Sequence, residues 1–235
     1  MTQPNILIVA TSADTMHNGE PTGIWLEELT TPFYAFVDGG AKVTVASIKG
    51  GAIPVDQRSV AAKGDNDASV ERYLEDAETQ GLVEASAPIT AVLDTISAFD
   101  AIFLPGGHGT MFDYPQSAEL AQLIETFDRA GKVVAAVCHG PAGLVSARTP
   151  DGAPLVSGRT IAAFTDSEER AVGLQDAVPF LLETKLRELG ATVSTAPDFQ
   201  AHAVRDGQLV TGQNPASAKM TAALVLEALA ERAAA

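Results

Sequence analysis

Residues 135–142 have the sequence Ala-Ala-Val-Cys-His-Gly-Pro-Ala, and this stretch decides the fold. It closes an apolar run, Val133–Val137, and it places Cys138 immediately before a histidine, a glycine and a proline. This order predicts a buried strand, a sharp turn that carries a nucleophile, and then a helix, which together form a nucleophile elbow. Because parallel sheets bind ligands at the carboxyl ends of their strands, we expect the Cys138 thiol to lie in a functional site.

Two consequences for the Cys138 thiol follow from this arrangement. A helix after the turn would place the thiol at a helix N-terminus, whose dipole favours the thiolate over the thiol. The backbone N–H of His139 would point at the oxyanion that forms when the thiolate attacks a carbonyl. The alternative is a structural cysteine buried at the end of a strand, and the His-Gly-Pro turn argues against it.

Apolar runs nearer the N-terminus predict further strands of the same sheet. Ile6–Ala10 contains no polar residue, which is typical of a strand buried on both faces, and Lys42–Ser47 alternates like a second strand. Between them a helix is predicted, with Thr22 as its N-cap and apolar residues at helical spacing up to Gly39. These segments together predict a β-α-β unit with a right-handed crossover.

The rest of the chain continues this alternation with one interruption. Residues 50–95 are rich in turn residues and contain an amphipathic stretch, Val70–Leu82, so we predict an inserted segment with its own helix. The other predicted elements are the strands Ala101–Leu104, Thr160–Phe164 and Ala191–Ser194, the helices Ala118–Ala130, Gly140–Ala147, Pro179–Leu189 and Pro215–Arg232, and a C-terminal hairpin around Asp206-Gly207. We therefore predict an α/β three-layer sandwich, a mostly parallel sheet flanked by helices, formed by residues 1–235 as a single domain.

The composition limits the partners and the compartment. The chain has 15 Lys and Arg residues against 30 Asp and Glu, a formal net charge of −15, which argues against binding nucleic acid or an anionic membrane surface. No apolar run approaches the ~18 residues that a membrane span requires. Cys138 is the only cysteine, which fits a reducing compartment, and the N-terminal residues lack the basic region of a signal peptide. We expect a cytoplasmic protein.

A second glycine turn, Pro105–Gly109, follows another predicted strand. Glycine lets a backbone approach a ligand closely, so Gly106 and Gly107 are candidates for a second oxyanion donor. His108 lies in the same turn, and its role is open between stabilising the turn, lying on the surface and contacting substrate. The histidines and Cys138 show no spacing typical of metal ligands, so the sequence predicts no metal site.

The elbow and the string Leu-Pro-Gly-Gly-His-Gly at residues 104–109 resemble the ThiJ/PfpI superfamily, which shares the class I glutamine amidotransferase-like fold. Three further strings resemble one branch of it, the glutathione-independent glyoxalases (glyoxalase III, of the D-lactate dehydratase type) and related heat-shock chaperones. These strings are Thr-Gly-Ile-Trp-Leu-Glu-Glu at residues 22–28, Phe-Thr-Asp-Ser-Glu-Glu at 164–169 and Leu-Val-Thr-Gly-Gln-Asn-Pro-Ala-Ser at 209–217. The similarity extends over nearly the whole chain.

The resemblance implies a catalytic role for particular residues. They are Cys138 as the nucleophile, His139 as the histidine, Glu28 as the catalytic glutamate, and Glu169 as the carboxylate that orients the histidine, with Asp166 as the alternative. Glu27 and Glu28 point about 100° apart on a helix, so only one can face the site, and Glu27 would then face solvent.

The implied activity is conversion of a small 2-oxoaldehyde such as methylglyoxal to lactate through a cysteine hemithioacetal. Burial beside a thiolate would raise the pKa of Glu28, which suits a group that moves a proton between adjacent carbons near neutral pH. His139 would relay protons and activate water. The resemblance implies no metal or organic cofactor, and it implies a homodimer.

Other functions stay open on the same residues. An intracellular cysteine peptidase of the PfpI type shares the elbow, although those chains are shorter and lack the 50–95 insertion. A non-catalytic holdase chaperone or redox sensor would use an exposed apolar patch or an oxidisable Cys138. Repair of glycated proteins or nucleotides would use the same site on adducts of the same aldehyde. A glutaminase is disfavoured because residues 211–217 contain no histidine.

Overall fold

Nine strands form two sheets in the structure, a computed structural model that describes residues 3–234. In chain order they are β1 (Asn5–Ala10), β2 (Lys42–Ser47), β3 (Ala87–Pro88), β4 (Ala101–Leu104), β5 (Val133–Val137), β6 (Thr160–Ile161), β7 (Thr192–Val193), β8 (Ala203–Asp206) and β9 (Leu209–Gly212). Seven of them form the central sheet in the order β3-β2-β1-β4-β5-β9-β8, and all neighbours in it are parallel except β8 and β9. The strands β6 and β7 pair with each other in a small parallel sheet.

Helices connect the strands and cover the central sheet. They are α1 (Leu26–Asp38), α2 (Ala68–Glu75), α3 (Ala77–Glu84), α4 (Thr110–Asp113), α5 (Ala118–Arg129), α6 (Asp166–Ala171), α7 (Leu182–Glu188) and α8 (Ala218–Ala234). Short 3₁₀ helices occur at Gln57–Ser59, Ile89–Ala91, Leu93–Ala98, Tyr114–Gln116, Gly140–Leu144 and Pro215–Ser217. Within the described residues, no helix has both the length and the apolar character needed to cross a membrane.

The two faces of the central sheet bury separate sets of apolar side chains. Along β1, Ile6 and Ile8 belong to one core cluster and Leu7 and Val9 to the other, because successive side chains of a strand point to opposite faces. The first cluster includes residues of α1 and α8, and the second includes residues of α5 and α7. This arrangement confirms the predicted α/β fold with a mostly parallel sheet between two helical layers.

The inserted segment and the hairpin lie at opposite edges of the central sheet. Residues 50–95 contain α2, α3 and the edge strand β3, while β8 and β9 pair across a tight turn with Asp206 opposite Leu209. The predicted helices and strands not discussed below differ from the observed bounds by one turn or less. The predicted domain, residues 1–235, includes Met1, Thr2 and Ala235, which lie outside the described residues.

The predicted strand Thr160–Phe164 is too long. It is reduced to β6, which pairs with β7 instead of joining the central sheet. In the central sheet β5 pairs with β9 on the side away from β4, through pairs such as Val134 with Leu209. Phe164 instead makes a single bond, in which its N–H donates to the carbonyl of Cys138 at 2.9 Å.

The predicted N-cap at Thr22 is also wrong, because α1 begins only at Leu26. The Thr22 hydroxyl donates to the carboxylate of Asp56 at 3.1 Å, and Ile24 pairs with Val55 in an isolated parallel bridge. The chain is therefore extended where the sequence predicted the first helical turn, since the inserted segment offers it partners there.

Two other helix predictions differ from the structure. The amphipathic stretch Val70–Leu82 is divided between α2 and α3, because the carboxylate of Asp76 accepts two N–H groups from the first turn of α3. The predicted helix Gly140–Ala147 is the shorter 3₁₀ helix Gly140–Leu144.

The carboxyl ends of β4 and β5 lie side by side and position the site. Leu104 pairs with Ala136, so the residues that follow these two strands reach the same edge of the sheet. Gly106 and Cys138 stand just beyond these ends, as expected for a ligand site in a parallel sheet.

Candidate active site

The turn at Cys138 holds the backbone in an unusual conformation. Cys138 has a φ of 59°, a value that residues other than glycine rarely adopt. Its N–H donates to Gly212 at 2.9 Å, and its carbonyl accepts from Phe164 at 2.9 Å. A Cβ at Gly140 would collide with the carbonyl oxygen of Leu104, so the turn requires glycine at that position. These contacts hold Cys138 in a strained turn at the end of β5.

Burial governs the acidity of the Cys138 thiol. The residue is 3% exposed, and Sγ lies 3.3 Å from Nδ1 of His139. Burial raises the pKa of Cys138 well above its usual range and the charge of Glu28 raises it further, whereas the N–H of His139 lowers it in part. The expected resting thiolate is therefore wrong. Only five residues of 3₁₀ helix follow the turn. The dipole of so short a helix does not offset the effect of burial on the pKa of the thiol.

Glu28 reaches the same edge of the sheet from the first turn of α1. Its side chain is completely buried, and Oε2 accepts a 2.8 Å hydrogen bond from the N–H of Gly106. Burial raises the pKa of Glu28 well above its usual range, although the hydrogen bond from the N–H of Gly106 opposes the shift in part. The carboxyl group therefore keeps its proton at pH values where a surface glutamate is ionised. The N–H of Gly106, a predicted oxyanion donor, is occupied by this carboxyl group.

Glu27 has a different environment from its neighbour. Its side chain is half-buried and lines a separate cavity of about 170 Å³ together with Arg58 and Asp67. Burial and repulsion from Asp67 raise the pKa of Glu27 to about 7. The expectation that Glu27 faces solvent is only partly correct, because the inserted segment supplies most of this second cavity.

One carboxylate connects two histidines. Oε2 of Glu169 lies 2.7 Å from Nε2 of His139, and Oε1 lies 2.8 Å from Nε2 of His108. Because an ionised carboxylate only accepts hydrogen bonds, each Nε2 carries the proton when its imidazole is neutral. In that tautomer Nδ1 of His139 is an acceptor, and this atom is the one in contact with the Cys138 thiol.

Asp166 lies outside this network. Its carboxylate accepts hydrogen bonds from the N–H and the hydroxyl of Thr184, at 3.2 and 2.5 Å, and so links α6 to α7. Of the two acidic residues that the sequence left as alternatives, Glu169 contacts His139 and Asp166 does not.

The histidine pair is electrostatically coupled to Glu169. Burial, with repulsion from His139, lowers the pKa of His108 to about 4. Burial raises the pKa of Glu169, but the two histidines more than offset this effect and hold it well below its usual range. The site therefore holds an ionised Glu169 and a neutral His108 at neutral pH. The two imidazole rings lie 4.2 Å apart between centroids, and His139 also packs on Phe164 at 4.4 Å.

His108 is the site residue whose place the sequence did not identify. It is buried, and within residues 3–234 its Nδ1 atom has no hydrogen-bond partner. One signal in the sequence could have identified it. The Gly-Gly-His-Gly turn follows β4 just as Cys138 follows β5, and the residues that follow two adjacent parallel strands lie at the same edge of the sheet.

His108, His139 and Glu169 also form the one group in the described part of the chain that has the geometry of a metal site. Their ligand atoms lie within 4.8 Å of one another. The spacing of the histidines in the sequence did not reveal this group, because His108 and Glu169 are 61 positions apart. Both histidine–carboxylate contacts have the length of ordinary hydrogen bonds, so protons alone account for the arrangement.

A cavity of about 260 Å³ opens onto the thiol. Cys138 and the two histidines form one part of its lining, and the remaining walls are mostly apolar: Trp25, Gly107, Phe164, Val172, Phe199 and Pro215. An apolar cavity with a few convergent polar groups suits a small uncharged molecule whose carbonyl carbon can reach Sγ.

Comparison with known proteins identifies relatives of the chain as a whole. The model of the DJ-1/PfpI family matches residues 22–228. Glutathione-independent glyoxalase HSP31 of Saccharomyces cerevisiae is 31% identical to the chain, over 97% of this chain and 99% of its own length. Protein/nucleic acid deglycase HchA of Pseudomonas aeruginosa is 29% identical, over 92% of this chain and 78% of its own.

A solved structure extends the agreement to the fold. The crystal structure of glyoxalase III from Candida albicans matches with a TM-score of 0.86 at 30% identity, covering 96% of this chain and 97% of that one. The resemblance predicted from the elbow and the three flanking strings is confirmed. The chain belongs to the DJ-1/PfpI family.

Proposed function

We propose that this protein is a glutathione-independent glyoxalase that converts methylglyoxal to lactate through a hemithioacetal on Cys138. One observation carries the proposal: the thiol of Cys138 lies 3.3 Å from Nδ1 of His139, and the N–H of Gly106 holds the buried carboxyl group of Glu28 at the same edge of the sheet, at 2.8 Å. Relatives from Saccharomyces cerevisiae and Candida albicans that are named as glyoxalases, 31% and 32% identical to the chain, support the same activity.

The first step is addition of the thiol to the aldehyde carbon. Because Cys138 is protonated at rest, its proton must leave as the C–S bond forms, and Nδ1 of His139 is within reach to accept it. Glu169 binds the opposite ring nitrogen and stays ionised, so it stabilises the imidazolium that results.

The aldehyde oxygen gains negative charge in this step and needs donors. Since Glu28 occupies the N–H of Gly106, we assign this role to the N–H groups of Gly107 and His139. No acceptor for the Gly107 N–H occurs in residues 3–234, and Gly107 lines the cavity. Its φ of 106° favours glycine, and a Cβ there would collide with the carbonyl of Gly23.

The second step moves a proton between adjacent carbons through an enediol. The hemithioacetal carbon loses its proton and becomes a thioester carbonyl, while the neighbouring ketone carbon gains a proton and becomes an alcohol. This exchange needs one group that accepts and then donates a proton near neutral pH. The carboxyl group of Glu28, protonated at rest, first gives its proton to the hemithioacetal oxygen. The carboxylate then accepts the proton of the hemithioacetal carbon and donates it to the neighbouring carbon.

In the last step water cleaves the thioester and releases lactate and the free thiol. His139, oriented by Glu169, is placed to activate this water. Side chains and backbone groups of the chain supply each proton transfer, so the proposed mechanism uses no metal or organic cofactor. As the family resemblance implies, we also propose a cytoplasmic homodimer that acts on small 2-oxoaldehydes.

A polypeptide substrate is harder to accommodate than a dicarbonyl. Cys138 is almost completely buried, and the cavity above it is small. Both features favour the glyoxalase over a PfpI-type peptidase.

Incubation of the protein with methylglyoxal in the absence of glutathione tests the proposal. We expect lactate to accumulate with one enantiomer in excess, and Cys138→Ser and Glu28→Gln each to abolish turnover while the circular dichroism spectrum is kept. Glu27→Gln is the matched control, because this adjacent carboxylate lines a different cavity, and it should stay active. Absence of lactate from the wild-type protein at high concentration would exclude the glyoxalase.

A further inference from the structure

The outer part of the active-site cavity is apolar and open to solvent. Phe199 and Val172, which both line it, are 47% and 43% exposed. The ring of Phe164 lies 6.4 Å from that of Phe199 and 4.4 Å from that of His139, between centroids. An aromatic wall therefore runs from the mouth of the cavity to the imidazole beside the thiol.

The backbone of Phe199 has an energetically costly conformation. Its φ of 59° lies in the left-handed region, which bulky side chains rarely adopt. The N–H of Phe199 donates to Oε1 of Glu168 at 2.8 Å, and this bond helps to hold the conformation. Strain of this kind persists only where the surrounding structure imposes it, and it is concentrated at ligand sites.

Glu168 connects the segments that form the mouth. Its Oε1 also accepts from Asn214 at 2.8 Å and from Gln213 at 3.1 Å, the two residues that precede Pro215 in the cavity wall. Its Oε2 accepts from the N–H of Thr165 at 2.9 Å. A completely buried carboxylate with this many donors makes the wall preformed, because fully satisfied buried networks are rigid.

The outer wall of the cavity, formed by Phe164, Val172, Phe199 and Pro215, has no charged side chain that would recognise a charged substituent. None of its lining residues is Lys, Arg, Asp or Glu. The space also exceeds what a three-carbon substrate needs. At about 30 Å³ for each water-sized group, the five non-hydrogen atoms of methylglyoxal take up about 150 Å³. The cavity has about 260 Å³, and a larger substituent can extend through its open mouth beside Phe199 and Val172.

We propose that the preferred substrates of this site are 2-oxoaldehydes with an aromatic or bulky apolar substituent on the ketone carbon. The inference rests on the glyoxalase function proposed above and names its substrate class. With the aldehyde carbon at Sγ of Cys138, the substituent lies along Phe164 and Phe199 and leaves water. The balance of the reaction is unchanged: an arylglyoxal and water give the 2-hydroxy acid, and no oxidant or reductant is consumed.

Steady-state kinetics with methylglyoxal and phenylglyoxal test this inference. We expect kcat/KM for phenylglyoxal, measured from mandelate formation, to exceed that for methylglyoxal by about tenfold or more, the usual discrimination by an apolar pocket. Phe199→Ala should bring this ratio down to about one, because the apolar surface that buries the substituent is lost. Phe199→Asn should act in the same way with less backbone strain, since asparagine tolerates a positive φ. Met220→Ala removes a similarly exposed apolar side chain from α8 and should leave the ratio unchanged.

The outcomes separate this inference from the proposed function. If the wild-type protein converts neither aldehyde, the glyoxalase function itself is wrong. If it converts methylglyoxal without preferring phenylglyoxal, the substrate-class inference is wrong and the glyoxalase stands. The inference is also overturned if both Phe199 variants lower the two kcat/KM values by the same factor, because the ring would then serve folding or assembly.

Discussion

His108 donates its Nε2 proton to Oε1 of Glu169 across 2.8 Å and so shares this carboxylate with His139. The two imidazoles also stack, with 4.2 Å between their centroids. His108 therefore helps to fix both the carboxylate that orients His139 and the ring of His139 itself. It is a positioning residue for the thiol–imidazole pair.

His108→Ala should lower kcat/KM for methylglyoxal by about tenfold to a hundredfold, the usual effect of removing a partner that orients a functional imidazole. Glu169 would lose one hydrogen bond and His139 one face of its packing. His108→Gln keeps a donor for Glu169, so it should retain more activity than His108→Ala. Equal losses in the two variants would show that the hydrogen bond to Glu169 is not the reason for the effect.

A methyl group at Gly106 should displace Glu28. A Cβ there would lie 2.5 Å from Oε2 of Glu28 and 2.7 Å from the backbone nitrogen of His139, both too close for contact. We expect Gly106→Ala to reduce lactate formation by about a hundredfold, the effect of a small displacement of a reacting group.

Gly81→Ala is the matched control for this variant. Gly81 lies within α3, and a Cβ there meets nothing within 4 Å. The variant should keep its activity and gain about 0.5–1 kcal/mol of stability, as expected for alanine in place of glycine inside a helix. Full activity of Gly106→Ala would mean that Glu28 is not needed in its observed position.

The raised pKa of Glu28 should make folding stability depend on pH. A carboxyl group whose folded-state pKa lies above its unfolded value near 4.5 stabilises the protein below pH 4.5, and this contribution is lost as the pH rises toward the folded-state pKa. Glu28→Gln removes the effect. The Tm of the variant should therefore rise relative to that of the wild type between pH 5 and pH 8. Glu227→Gln, at an exposed position on α8, should show a constant difference over this range, and a constant difference for Glu28→Gln would contradict the raised pKa.

Cys138 should react slowly with iodoacetamide near neutral pH. Burial raises the pKa of its thiol, and only the thiolate is nucleophilic, so the alkylation rate should still be rising above pH 9. Glu28→Gln keeps a neutral group beside the thiol, so it should raise the rate only at pH values where the carboxyl group of Glu28 is ionised. The chain has one cysteine, so intact-mass spectrometry measures the reaction directly. A plateau below pH 7 would instead indicate a resting thiolate.

The strands that flank the site could be predicted because their burial is encoded locally. Apart from Asn5 at the start of β1, the strands β1, β4 and β5 are uninterrupted apolar runs, and each was predicted within a residue. Residues Thr160–Phe164 look similar in sequence, but Ile161 and Ala163 pack into one core cluster and Phe164 into the other. Which strand occupies the edge of β5 depends on the whole chain, and β9 takes that place.

The site residues also divide into those whose place is set by local sequence and those whose place depends on distant segments. The elbow at Cys138 is a local motif, so its geometry was accessible from the sequence. Asp166 and Glu169 stand one helical turn apart, and the choice between them depends on how α6 packs against Thr184 of α7. The protonated state of Cys138 depends on complete burial by distant segments, which no motif reports.

The hydrogen bonds that build the site join segments far apart in the chain. They connect Gly106 with Glu28 across 78 positions and His108 with Glu169 across 61. Contacts of such long range form slowly, because large loops must close first and their closure lowers the entropy of the chain. Refolding chains should therefore regain their helices before their turnover, and a nick in any connecting loop should cost activity before it costs secondary structure. Catalytic competence thus reports the completion of folding in this protein.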